Sequence, residues 1–323
     1  MKFIVTGGAG FIGHNVVRQL EALGHVCYVI DVLTGYGFVP PAETEYLHQE
    51  RGQGIVAITH EIDIFDHVAL DVAFANAGTI DGVIHLASFP RQKVVNQNPR
   101  WASNVMSTGL LNLLECTKKY HIPRFVYISS SMVYGDFDNN VTEDAVCRPQ
   151  GLYGIMKYQG EQMVQDYSHR GYFDHVIIRP SAVYGPRDVE DRVVSKFILG
   201  AIRGQVLKIN GAAEVLDFTY VEDTARGIVL AATKEAGRGR IFNITRSDPR
   251  CYTLKDAAEM AIACAGAGTI EIRGKDADFP SRGRLSIDRA TNLLGYFPIV
   301  SVPEGFQIYH QWFQESTFWQ SRL

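Results

Sequence analysis

Tyr153 and Lys157, in "LYGIMK", are residues whose types and spacing could do chemistry. On a helix they stand one turn apart, so a phenol and an ammonium can face one site. A free tyrosine has a pKa of about 10, and a neighbouring cation favours its phenolate, the form that takes up a proton. The pair alone proves nothing, because a chain with 15 tyrosines yields one such spacing by chance about half the time. Its position says more. Just upstream lies "ISSSMVYGD", residues 128–136, with three serines at the mouth of an apolar run and Met132 where a polar side chain would be expected.

A second constellation opens the chain. "TGGAGFIG" sets Gly7, Gly10 and Gly13 between an apolar run and a helical pattern. Glycines there permit a tight turn, close approach to a pyrophosphate and tight helix–sheet packing, with the phosphates meeting N–H groups at the helix start. Asp31 ends the next apolar run, near the spacing of a ribose-binding acid. Its carboxylate suits the ribose hydroxyls and repels a 2′-phosphate, and Val32 and Leu33 add no cation. The residues therefore predict NAD in preference to NADP. Asp63 and Ile64, in "EIDIFD", suit either the border of the adenine or, for the acid, a helix cap.

These residues need a scaffold to bring them together. Short apolar runs recur at Phe3–Thr6, Val26–Asp31, Val83–Ala87, Phe125–Ser129 and Val176–Arg179, the pattern of strands buried on both faces. Helical patterns separate them: Val16, Leu20 and Leu23 share a face that Gly24 ends, and Val105, Leu110, Leu113 and Leu114 mark another. The alternation predicts an α/β fold, a doubly wound parallel sheet over residues 1–180. Residues 181–323 read as a smaller α/β substrate domain, with segments near 215–245 returning to the main sheet. Residues 34–60, rich in charge with Gly and two prolines, read as a surface excursion.

Composition narrows the partners. The 323 residues carry a formal charge of -4, with 46% hydrophobic and 20% charged residues. No dense basic run invites nucleic acid or a membrane surface. No apolar stretch reaches the roughly 20 residues of a membrane span. "MKFIVTGG" enters a strand at once, leaving no room for a signal peptide, and the five cysteines lack metal-ligand spacing, so a cytoplasmic, metal-free protein with reduced thiols is expected.

Taken end to end, "TGGAGFIG", "VIHLA", "NVMSTGLLNLLE", "SSSMVYG", "YGIMK", "RPSAVYGPR", "DRVVSKFILGAIRG" and "DFTYVEDTARGI" resemble the extended short-chain dehydrogenase/reductases, specifically the NAD-dependent sugar-nucleotide epimerase/dehydratase family. The resemblance implies a Rossmann domain with Phe11, Ile12, Leu86, Ala87 and Pro180 beside the glycines and Asp31 around the cofactor. It implies Ser130 as the catalytic serine, hydrogen-bonded to a sugar oxygen with Ser131 nearby. Tyr153 becomes the acid/base, and Lys157 its cation and a holder of the nicotinamide ribose. It places Arg192, Val193 and Phe197 on the nucleotide, and Arg282 and Arg284 on the diphosphate, of a nucleoside-diphosphate sugar. It also implies a homodimer through the helices of "NVMSTGLLNLLE" and "YGIMKYQGEQM".

Departures from the family pattern sharpen the expectation. The family's dehydratases place Asp and Glu after the catalytic hydroxyl residue, its decarboxylases a Glu just before the valine, and its fucose-synthase branch a cysteine there. Here stand Ser131 and Met132, and a thioether neither donates nor accepts a proton. What remains is hydride chemistry at one carbon. The expected activity is an NAD-dependent nucleotide-sugar 4-epimerase; the alternatives are a dehydrogenase or 4-keto reductase with the same residues, or a non-catalytic NAD(H)-binding protein. Leu216 stands where the family often has a diphosphate arginine, and Ala182 where many members have Asn.

Overall fold

The computed structural model describes residues 1–89, 91–276 and 279–322. Strands and helices alternate through β1 (Lys2–Thr6), α1 (Gly13–Ala22), β2 (Val26–Asp31), α2 (Pro41–Gly52), β3 (Thr59–Glu61) and α3 (His67–Ala77). Next come β4 (Gly82–His85), the short α4 (Gln92–Gln97) and α5 (Pro99–Ser103), then α6 (Leu110–Lys119). The strand β5 (Arg124–Ile128), the long α7 (Gly151–His169) and β6 (Asp174–Pro180) complete this half. The remainder holds β7 (Val183–Tyr184), α8 (Val193–Ile202), β8 (Val206–Asn210), β9 (Thr219–Tyr220), α9 (Val221–Thr233) and β10 (Arg240–Ile244). It ends with α10 (Leu254–Ala265), β11 (Thr269–Arg273), α11 (Asp288–Leu294), α12 (Val302–Glu315) and the short α13 (Thr317–Gln320).

Seven strands form one sheet in the order β10-β6-β5-β4-β1-β2-β3, and its registered pairs are all parallel. This is the doubly wound α/β sheet that the apolar runs predict. Successive side chains point to opposite faces, and both faces are covered. Ile4, Ile30, Val83, Phe125 and Ile177 feed one core under α3 and α6. Their neighbours Val5, Val29, Ile84, Val126 and Ile178 feed a second core with Val16, Leu20 and Ile228. Because β1 lies between β2 and β4, the chain's winding reverses there, and a crevice opens at the strands' carboxyl ends.

A separate core gathers Val194, Ile198, Phe218, Ala257, Phe306 and Phe313 around two small parallel pairs, β8 with β11 and β7 with β9. Thr253 and Ser301 start α10 and α12 with reciprocal capping boxes. β10 returns to the large sheet beside β6, and α9 packs on the core that holds α1.

Residues 34–60 differ from the expected excursion. They contain α2, a helix that clasps later segments: Arg51 Nε and Nη2 donate to the Arg187 carbonyl (3.1 and 2.8 Å), and Tyr46 stacks on Phe318 at 4.2 Å. Only Leu47 and a few polar residues turn inward, so no apolar stripe announced it. Among the described residues no helix is long and apolar enough to cross a membrane.

Candidate active site

The glycine turn is built by close approach. Gly7 has φ +72°, and a Cβ there would lie 2.5 Å from the Ala87 nitrogen. A Cβ on Gly13 would lie 2.0 Å from the Gly7 carbonyl oxygen, so α1 starts directly over the turn. Asp31 braces the arrangement, accepting from the backbone N–H of Ala9 and of Leu33, each at 3.0 Å. Gly7, Gly10, Phe11, Ile12, Gly13, Asp31, Asp63, Ile64, Leu86, Ala87 and Pro180 all line one cleft of about 710 Å³. Asp63 accepts from Phe65 N, whereas Asp66 caps α3. Arg51 feels the Asp31 charge, but the donors described above turn to Arg187 and it is not part of the cleft wall. A cradle without side chains beside a carboxylate fits a dinucleotide with a free ribose diol.

The same cleft continues to Ser130, Ser131, Met132, Tyr153 and Lys157. Ser130 ends the extended backbone after β5, and its Oγ accepts from Met132 N at 3.2 Å, capping a short turn over Ser131–Tyr134. Helix α7 brings Tyr153 to the same stretch of the cleft as Ser130, near enough for the serine hydroxyl to ease the phenol's ionisation. Lys157 Nζ donates to the Ile128 carbonyl at 2.8 Å and lies 5.9 Å from the Tyr153 ring centroid. Burial lowers the Lys157 pKa to about 7, against the pull of the Glu161 carboxylate. Burial also raises the Tyr153 pKa; the Arg192 charge and the Ser130 hydrogen bond oppose it. Arg192 thus acts on the phenol that Lys157 is expected to serve. Met132 is only 5% exposed, and neither it nor Ser131 brings a carboxylate to the wall.

At the far end, Arg192, Val193, Phe197 and Arg282 line the cleft. Arg282 is held down to a pKa of about 10 by burial, and its Nε has no hydrogen-bond partner among the described residues. Arg284 is not among the residues lining the cleft: its guanidinium rests on the Asn140 side chain and its backbone N–H donates to Asn139 Oδ1 (2.9 Å). Gly283, pressed against the Asp138 backbone, turns the two arginines to different neighbours. Leu216 sits in the cleft wall, and Lys208 and Lys275 line this end, a contribution the sequence reading missed. Lys275 pairs with Glu214 at 3.0 Å. Ala182 adopts φ +37°, a left-handed conformation that Asn tolerates better.

Known proteins share this architecture. A UDP-glucuronic acid 4-epimerase from Bacillus cereus, solved with UDP-glucuronic acid and NAD, superposes with a TM-score of 0.88 at 27% identity, over 97% of this chain and 98% of that one. An uncharacterised UDP-glucose epimerase of Bacillus subtilis is 28% identical over 321 residues, covering 94% of this chain and 95% of the relative. A UDP-glucuronic acid decarboxylase of Arabidopsis thaliana is 28% identical over 333 residues, covering 98% of this chain and 69% of the relative. The profile of the "NAD dependent epimerase/dehydratase family" matches residues 3–245. With most of its length inside that match, the chain belongs to the NAD-dependent epimerase/dehydratase family, and its cofactor is NAD.

Proposed function

We propose that the protein is a nucleotide-sugar 4-epimerase. Bound NAD supplies the acceptor and donor of a hydride at sugar C4. Tyr153 takes the proton of the C4 hydroxyl and later returns it, while Ser130 holds the same oxygen. Lys157 and Arg192 favour the phenolate by their charge. Arg192 and Arg282 suit the substrate's diphosphate, which planar guanidinium groups meet bidentately. The observation that carries this reading is the cleft wall at 131 and 132, where a hydroxyl and a thioether stand in place of the acids that proton abstraction from carbon would use.

Turnover of a UDP-hexose and UDP-hexuronate panel in D₂O tests it. The expected product is inverted at C4, with C3, C4 and C5 unlabelled. Deuterium at C5 revives dehydratase or 3,5-epimerase chemistry, and net accumulation of free NADH indicates a one-way dehydrogenase. Exposed Leu111 on α6, with Leu152 and Ile155 on α7, supports pairing of two copies through these helices; a monomer in analytical ultracentrifugation would remove that part.

A further inference from the structure

Helix α7 grips the end of β5 with two successive turns. Lys157 Nζ meets the Ile128 carbonyl, and Glu161 accepts from Ser129 Oγ at 2.5 Å. Ile128 and Ser129 are thus both held by one face of one helix, with Ser130 beside Tyr153 in the same cleft. Glu161 is 1% exposed and fixed in turn by Arg179, whose Nε and Nη2 donate to its two oxygens at 2.9 and 2.6 Å. Arg179 is itself pinned, donating to Tyr134 Oη (2.9 Å) and the Glu143 carbonyl (3.1 Å). A buried ion pair adds little net stability, because desolvation offsets the attraction. Its value here lies in what it holds.

We propose that Glu161 is a positioning residue for the proton transfer: it fixes the Ser129–Ser130 turn through Ser129 and, one helical turn from Lys157 on the same buried face, is the counter-charge to the ammonium. This rests on Tyr153 being the base. The groups facing Lys157 leave that task to Glu161. Tyr127 on β5 offers its ring at 5.3 Å, and His85 on β4 is held neutral by burial with a pKa of about 3. Arg179 on β6 is spent on Glu161, and Lys93 of α4 and Arg192 are further cations of the same cleft. Tyr153 shares the helix, and its own burial favours the neutral phenol over a phenolate. Without Glu161, burial alone would discharge the ammonium at lower pH.

The test uses the NAD-loaded protein labelled with ¹³C at lysine Cε, with the Lys157 resonance identified by its loss in Lys157→Met. Glu161→Gln should move the Lys157 titration down by about one pH unit, and Glu161→Asp by only a few tenths. The alkaline limb of kcat should move with it. An unmoved titration in a folded but less stable Glu161→Gln protein would overturn the proposal and leave the pair purely structural. Should Glu161→Gln not fold, Ser129→Ala keeps the ion pair and cuts the link to the turn. It should lower kcat about tenfold with KM within about twofold, and an unchanged kcat overturns the positioning role. Failure of the base assignment reads separately, as full turnover in Tyr153→Phe.

Discussion

Tyr153 faces opposing demands. Burial holds its proton on, while Ser130 and Arg192 pull the other way, and this balance is what a reversible base needs. Tyr153→Phe removes one oxygen from a side chain that already faces the cleft, so the fold should survive. Turnover should fall about 10³-fold, read by single-turnover kinetics beside an unchanged melting curve. Lys157 adds a pH signature: with a pKa of about 7 its charge is present below and lost above, so kcat should decline on the alkaline side. That Ser130, Tyr153 and Lys157 share one cleft was legible because each lies in a short contiguous pattern whose geometry the helix or strand end dictates. Glu161 was not, since its significance depends on Arg179 and Ser129 arriving from two other segments. The different settings of Arg282 and Arg284 were hidden for a related reason: closeness in sequence says nothing about which way each guanidinium turns across Gly283.

Among the elements, α7 sits unusually close to its neighbours. A Cβ on Gly154 would lie 2.8 Å from the Met132 carbonyl oxygen, and one on Gly160 only 2.2 Å from the Tyr127 hydroxyl. Side chains at either place would lift the helix from β5 and from the serine turn. Gly160→Ala should therefore cost about 1–3 kcal/mol in chemical denaturation. It should also reduce turnover, because the displaced Tyr127 ring adjoins Lys157. Wild-type stability in that variant would show that the contact relaxes freely. β1, β2, β4, β5 and β6 were readable because burial on both faces writes a continuous apolar run, whereas the edge strand β3 (Thr59–Glu61) carries none. The helix α2 was not, since it is held by a guanidinium, a stacked tyrosine and a single leucine, which no hydrophobic period reveals.

For the molecule as a whole, the cleft joins the switch point of one sheet to a cap with its own core, so ligand and stability are coupled. NAD at a hundred times its dissociation constant should add about 2.7 kcal/mol. NADP at the same concentration should add far less if the Asp31 carboxylate in the cleft wall meets the ribose, where it would repel a 2′-phosphate. Equal thermal shifts with the two would refute that placement. The doubly wound class was plain from strand–helix alternation. The pairing of β8 with β11 and β7 with β9 was not: β8 alternates buried Leu207 and Ile209 with exposed residues, but its partner β11 is mostly exposed and β7 and β9 have two residues each.

The late return of β10 has a consequence for synthesis on the ribosome. β6 ends at Pro180, yet the neighbour that closes its edge begins at Arg240. At about 5–20 residues per second, the nascent sheet spends several seconds with an open, apolar edge. An unpaired edge of this kind templates aggregation. Chains released before residue 240 should thus precipitate or stay on a chaperone, while full-length chains do not; soluble, monomeric chains ending near residue 235 would show the edge to be harmless.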